Sequence, residues 1–313
     1  MARYILQRFL GMLAVMFIVV TVVFVIVRIA PGDPAAVMLG PDATPEDVAT
    51  LRGQLGLDRP LAVQYAVFLG QVVRGDLGRS IFLGIPAITA VAERAEPTFL
   101  LTVLSILVAC AIALPVSILA ACRRGSLFDQ VATTMAMLAA SIPSFWLGLV
   151  LMQIFAVKFG VFPVSGYGGP DASFLTRLQH LVLPALSLGV VSSAIILRFT
   201  RASMLDVLGE DYIRTARSKG MSEFRIVMRH ALKNALIPII TVVGLTFALL
   251  ISGAVVTETV FGLPGVGSLV VSAVLRRDYA VIQAALLVVA GLYVLINFAI
   301  DMLYLAVDPR VRY

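Results

Sequence analysis

Apolar residues in this chain come in long unbroken blocks rather than in alternation with polar ones. Residues 9–27 form 19 consecutive positions without a charge. Further apolar runs cover 98–121, 131–157, 181–197, 236–257 and 281–305. Each approaches or exceeds the ~20 residues that cross a bilayer as a helix, and a lone segment in lipid can satisfy its own backbone only as a helix. The pattern predicts an all-α polytopic membrane protein with six transmembrane helices. The first run is longer than the ~7–15 apolar residues of a secretory signal. It is followed by "RIAPGDP" rather than a small-x-small cleavage site, so it reads as a retained anchor. Pro115, Pro143, Pro184 and Pro238 lie within or beside the runs and predict kinks or helix ends, hence a bent bundle around a cavity.

Three polar stretches interrupt the runs. Residues 31–96 open with the turn "PGDP", followed by a helix start in which Thr44 caps, Pro45 takes the first position and Glu46 and Asp47 fill the first turn. An amphipathic helix stopped at Gly75 comes next, and the segment reads as a folded cap. Residues 257–279, "TETVFGLPGVGSLVVSAVLRRDY", look too rich in glycine and charge to continue the fifth span. They are expected to fold back as a short element over 268–275 that lines the external end of a pathway. Residues 211–238 carry Arg214, Arg217, Lys219, Arg225, Arg229 and Lys233. Asp211 opens a short helix there, Arg217 and Lys219 lie in its last turn, and Gly220 offers a left-handed stop. Ser222 is then placed to cap a second helix that runs to Pro238 and passes there into the fifth span. Ile213, Ala216, Met221 and Phe224 cluster at this hinge, an apolar face suited to a groove on another protein. An anionic-lipid surface accounts for the charge alone.

Composition agrees with the pattern. The chain is 60% hydrophobic and 13% charged, with a mean hydropathy of +1.01; soluble domains carry about 25% charge. Basic residues set the orientation, because Lys and Arg accumulate on the cytoplasmic side. Arg3 and Arg8, Arg123 and Arg124, Arg198, Arg201, the six of residues 211–238, and Arg310 and Arg312 fall on one side. Eight arginines fall on the other, five of them in residues 31–96 beside eight acids. Both termini are therefore expected in the cytosol. The isoelectric point near 9.6 is then a topology signal, and nucleic acid is not an expected partner.

Several chemistries drop out. Cys110 and Cys122 share one predicted span about 18 Å apart, too far for a disulfide. His180 and His230 read as structural, and no metal spacing is present. Ion-coupled transporters need carboxylates or histidines deep in their spans, and these are nearly absent; Asp129, Arg198 and Asp301 sit near ends. "GLPGVGSL" at 262–269 has a phosphate-loop spacing but places Ser268 where lysine is required. The chain is not expected to be an enzyme, and any energy for transport comes from another subunit.

With the hinge in view, "RTARSKG" at 214–220 resembles the EAA loop of binding-protein-dependent ABC importer permeases. Arg-Thr replaces Glu-Ala, and Pro238 falls further from the glycine than in the general motif. Both departures are similar to the dipeptide/oligopeptide/nickel branch, as are "PGDP" at 31–34, "LGLDRPLAVQY" at 55–65, "GDLGRS" at 75–80, "RHALKNALIP" at 229–238, "TETVFGLPGVG" at 257–267, "RRDY" at 276–279 and "DPRVR" at 308–312. The resemblance implies a type I importer permease (MetI-like) fold. It divides the chain into residues 1–95 (first helix and external segment), a core over 96–305 with a cytoplasmic coupling loop at 200–235, and a tail at 306–313. It implies a second homologous permease, two cytoplasmic ABC ATPase subunits or domains that bind ATP and Mg²⁺, an external solute-binding protein, and no cofactor in this chain. Membrane lipid is the remaining partner. The cargo would be di- or oligopeptides, alternatively nickel, glutathione or another small solute. The residues assigned to ATPase coupling by the resemblance are Arg214, Thr215, Ala216, Arg217, Lys219, Gly220 and Met221.

Overall fold

The computed structural model describes residues 2–29, 34–40, 43–54 and 56–307. The tail string at 308–312 and most of the "PGDP" turn lie outside them. Among the described residues the chain is helical, with one isolated bridge between Arg79 and Pro86. It divides into two compact units, one of Pro97–Gly267 and the chain from Ile296 onward, the other of Ala2–Glu96 and Ser268–Leu295.

In the second unit α1 (Ala2–Ile29) is the first apolar run, and α2 (Pro34–Leu39) and α3 (Pro45–Gln54) follow. Thr44 caps α3 as expected: the Asp47 amide donates to Thr44 Oγ1 at 3.2 Å and the Thr44 hydroxyl to the Asp47 carboxylate at 2.5 Å. α4 (Leu61–Val73) lies along α1. Val20, Val23, Phe24, Phe68 and Leu287 form the buried core between helices. Polar contacts fix the register, Thr21 to Tyr65 Oη at 2.6 Å and Arg28 Nε donating to Gln64 Oε1 at 2.9 Å.

The first unit holds most of α5 (Ala87–Cys122), then α6 (Leu127–Ser141), α7 (Ser144–Leu151), α8 (Phe174–Leu208), α9 (Asp211–Ser218), α10 (Glu223–Arg225) and α11 (Leu232–Phe261). α12 (Val266–Arg276) and α13 (Tyr279–Val307) complete the chain. Among the described residues five helical runs are long and apolar enough to cross a membrane: α1, α5, α8, the continuous stretch Glu223–Phe261, and α13. The apolar run at 131–157 is different. It breaks into two helices at 96°, α6 and the pair of α7 with a π-helical turn Met152–Lys158. Ile142 takes an extended conformation (φ −90°, ψ 126°) because the ring of the following Pro143 disfavours the helical one. Pro143, lacking an N–H, then starts α7.

The bent pair is nevertheless the sixth crossing. Ala121, at the end of α5, packs with Met204 and Ile213. Gly166, after the pair, donates its amide to Phe261 O at 2.9 Å, at the opposite end of α11. The chain has therefore travelled from one end of the unit to the other between them. Pro115 and Pro184, by contrast, are carried inside continuous helices. α8 is the spine, packing on α6, α7 and α11 with Leu181, Leu183, Ile196 and Met204 fully buried. It meets α5 so closely that a side chain at Gly189 would sit 2.8 Å from Ser105 O.

Candidate functional site

The basic hinge forms at the end of this unit where α8 leaves and α11 enters. α9 stops at Gly220, whose φ of +76° is the left-handed conformation expected from the sequence. The Met221 amide reaches back to Ala216 O at 3.3 Å and the Gly220 amide to Arg217 O at 2.9 Å, a Schellman stop. Ser222 occupies the N-cap position of α10 with φ −66° and ψ 142° but makes no side-chain cap bond. Glu223 turns back across the hinge instead, taking Arg217 Nε at 2.8 Å and Nη2 at 3.3 Å. That carboxylate holds the Arg217 guanidinium above its ordinary range, so it stays charged. The second hinge helix passes at Pro238 into the fifth span, as expected. From Glu223 the chain is helical to Phe261, passing through a wider π-helical turn at Ile226–Ala231 and carrying Pro238 inside α11.

The apolar face of the hinge points inward. Ile213 is fully buried and Ala216 nearly so, in a cluster with Ala121 of α5, Met204 of α8, and Ile226, Val227, Ala231, Ala235 and Ile239. Met221 packs against the same cluster, half-buried. This corrects the expectation of a four-residue apolar plug for another protein: only Phe224, 77% exposed, faces away. Of the seven residues that the resemblance assigns to coupling, Arg214, Thr215, Arg217, Lys219 and Gly220 are exposed, while Ala216 and Met221 fasten α9 to the spans. Arg214 pairs with Asp211 at 3.0 Å, and the Thr215 hydroxyl donates to Asp211 O at 3.1 Å. Asn234 Nδ2 donates to Tyr212 Oη at 2.7 Å, a second tie between α9 and α11.

A partly buried ion pair lies at the same end. Asp129, at the start of α6, accepts Arg201 of α8 through Nε at 2.5 Å and Nη2 at 2.7 Å, and takes the Gly125 amide at 2.9 Å. Sequence reasoning placed both residues near span ends on one predicted side, but their pairing across 72 positions carries no local signal.

At the opposite end the fifth span is longer than expected. α11 continues through Glu258 to Phe261 and stops at Gly262, φ +62°. Glu258 is fully buried near the far end of α11, an ionisable group inside a helix but past the apolar run. It escapes a hydropathy reading because its charge looks like the end of the apolar run, while its partner is far away in sequence. Thr98 Oγ1 of α5 donates to Glu258 Oε1 at 2.6 Å and accepts the Val266 amide at 2.8 Å. Gly265 and Gly267 press against the carboxyl group, and a methyl at Gly267 would stand 2.6 Å from Val255 Cα. Beyond the glycines a short helix, α12, covers the stretch expected as 268–275 and starts at Val266.

The arrangement defines a multi-pass helical transport subunit with a basic, glycine-stopped hinge. The fold is that of inward-facing structures of the MetNI methionine ABC transporter, with a TM-score of 0.58 at 20% identity over 70% of this chain and 96% of that one. Residues 113–313 match the family described as binding-protein-dependent transport system inner membrane component, and residues 1–85 match its N-terminal counterpart. Over the full length of both proteins the chain is 45% identical to the probable peptide ABC transporter permease protein y4tP of Sinorhizobium fredii. It is 42% identical, again over all of both, to the glutathione transport system permease protein GsiC of Salmonella choleraesuis. To the dipeptide transport system permease protein DppB of Escherichia coli it is 40% identical over the whole chain and 99% of that protein. The chain belongs to the binding-protein-dependent inner membrane permease family and is the membrane-spanning transport subunit of an ABC importer. Members of that family work with ATPase and solute-binding-protein partners.

Proposed function

We propose that this permease imports di- or oligopeptides delivered outside the cell by a solute-binding protein, and that its coupling loop, residues 200–235, is gripped by ATPase subunits in the cytosol. The observation that carries this reading is the two-sidedness of α9. Its exposed face offers Arg214, Thr215, Arg217 and Lys219, while Ile213 and Ala216 are embedded among α5, α8 and α11. A push on the exposed face therefore moves the spans and not merely a loop. Gly220 allows the abrupt turn, and Met221 holds it against the core. ATP and Mg²⁺ belong to the two ATPase partners, and this chain supplies no cofactor site. Both termini lie in the cytosol, in keeping with the Lys and Arg asymmetry. A second homologous permease completes the pathway.

The peptide reading draws on the y4tP and DppB relatives. Glutathione is the second reading, favoured by the GsiC relatives at 42% identity. Proteoliposomes holding the full complex, its cognate binding protein and internal ATP separate the two. Uptake of a labelled dipeptide should be blocked by excess unlabelled peptides and not by glutathione. Uptake of glutathione with indifference to peptides would replace the first reading by the second.

A further inference from the structure

Outside the hinge and the Glu258 turn, one small cavity collects unpaired positive charge. It has a volume of about 150 Å³ and lies within the unit of Ala2–Glu96 and Ser268–Leu295. Arg94 and Arg276 line it, with Ser272 beside them and Phe82 and Leu83 on the rim. Among the described residues neither guanidinium has a carboxylate within ion-pair distance; that of Arg276 lies 5.6 Å from the Phe82 ring centre. The nearby acid, Asp278, is buried and already engaged, accepting the Ser80 hydroxyl at 2.5 Å and the Val281 amide at 3.4 Å. Two arginines and one carboxylate leave the cavity with one net positive charge. Arg94 is partly buried and Arg276 exposed at the cavity mouth; two unpaired guanidinium groups on one cavity suit an anion, and their planar forks match a phosphate oxygen pair.

Depth in the membrane decides which anion. Pro97 to Ala121 of α5 are 25 residues without a charge, about 37 Å of helix and already enough for the hydrocarbon core. Arg94 stands one turn beyond them, at headgroup level. Leu275 is 80% exposed, and Val274, Phe82 and Leu83 are each about half exposed, all next to the arginines. Apolar side chains bordering a cationic cavity suit an acyl chain below a phosphate. We propose that Arg94 and Arg276 bind the phosphodiester of a membrane phospholipid, with the Ser272 hydroxyl facing the headgroup and the apolar rim against the acyl chains. The assignment does not depend on which membrane face this end occupies, nor on the transported solute.

Native mass spectrometry of the assembled complex, purified in mild detergent and titrated with dioleoylphosphatidylglycerol, tests it. Arg94→Gln/Arg276→Gln should retain several-fold less of this lipid than wild type, each single variant should lie between, and millimolar inorganic phosphate should not displace it. Arg94→Lys/Arg276→Lys keeps the charge but not the fork and should retain an intermediate amount, which covers the case that the glutamine pair fails to assemble. Equal retention by wild type and the glutamine or lysine pair overturns the proposal. Displacement by inorganic phosphate would make this a free-anion site instead. A cavity serving to dock an acidic side chain of the solute-binding protein would show as a weaker complex with that protein at unchanged lipid retention, and would equally overturn it.

Discussion

Gly220 and Gly262 end their helices by the same local device in opposite surroundings. Each has a positive φ, +76° and +62°. In each, the following amide bonds the carbonyl five residues back, Met221 to Ala216 and Leu263 to Glu258. Around Gly220 nothing lies within 4 Å of where a side chain would begin. Around the Gly262 turn, Thr98, Glu258, Gly265 and Gly267 interlock without room for a methyl. The same stop serves as an open hinge at one end of the unit and as a sealed corner at the other. What differs is packing, and packing decides which end can be moved by a partner.

The comparison breaks most visibly at the sealed corner. Gly267→Ala places a methyl 2.6 Å from Val255 Cα, a backbone atom that cannot swing aside. Overpacking of this kind costs about 1–3 kcal/mol or more. Membrane abundance of the assembled complex should fall several-fold and its thermal midpoint should drop. Normal abundance and an unchanged midpoint would mean that the corner yields, and the contrast with Gly220 would vanish.

Next in size is Glu258. Glu258→Ala leaves a void and strands the Thr98 hydroxyl, which now bridges the carboxyl group and the Val266 amide. Losing a buried hydrogen-bond partner costs about 1–3 kcal/mol. Glu258→Gln preserves shape and an acceptor for Thr98, so it should retain most of the stability that alanine loses. If glutamine and alanine melt alike, the carboxyl group has a role beyond bridging Thr98 to the turn.

These two corners were not equally visible in the sequence. The Gly220 stop was legible because helix end, basic last turn and glycine are all local. The capping of α3 by Thr44 and the positions of the apolar runs were legible for the same reason. Glu258 was read as marking the end of a span, since its partner Thr98 is 160 residues away. Pro143 breaks its helix at 96° while Pro115 and Pro184 do not, although all three sit in similar apolar text. The seven residues proposed for coupling lie together in sequence, yet Ala216 and Met221 turn inward because the 3.6-residue period places them on the face of Ile213 or at the hinge beneath it.

The hinge sharpens the comparison in the other direction. Gly220→Val meets no atom, so its cost is conformational, about 1–2 kcal/mol for a left-handed residue. Abundance should stay near that of wild type. Under the proposed coupling role the displaced helix end no longer fits the ATPase subunits, so uptake and solute-stimulated ATP hydrolysis should collapse together. Full transport at normal abundance would remove residues 211–224 from the coupling path.

The smallest effect belongs to Arg217. Its pair with Glu223 spans the hinge, but the two side chains are 43% and 64% exposed. Exposed pairs contribute about 0.2–1 kcal/mol, and the Schellman bonds of Gly220 and Met221 hold the turn without it. Arg217→Gln should therefore leave the thermal midpoint within a degree or two. Charge reversal separates two roles that neutralisation leaves merged. If Arg217 only braces the hinge, Arg217→Glu with Glu223→Arg should restore the pair and ATPase activity together. If Arg217 meets the ATPase directly, the swap restores the internal pair while solute-stimulated hydrolysis stays low. We expect the second result, because a brace this exposed adds little to a turn that its own backbone already closes. Restoration of hydrolysis by the swap would confine Arg217 to bracing and leave Arg214, Thr215 and Lys219 as the face that the ATPase reads.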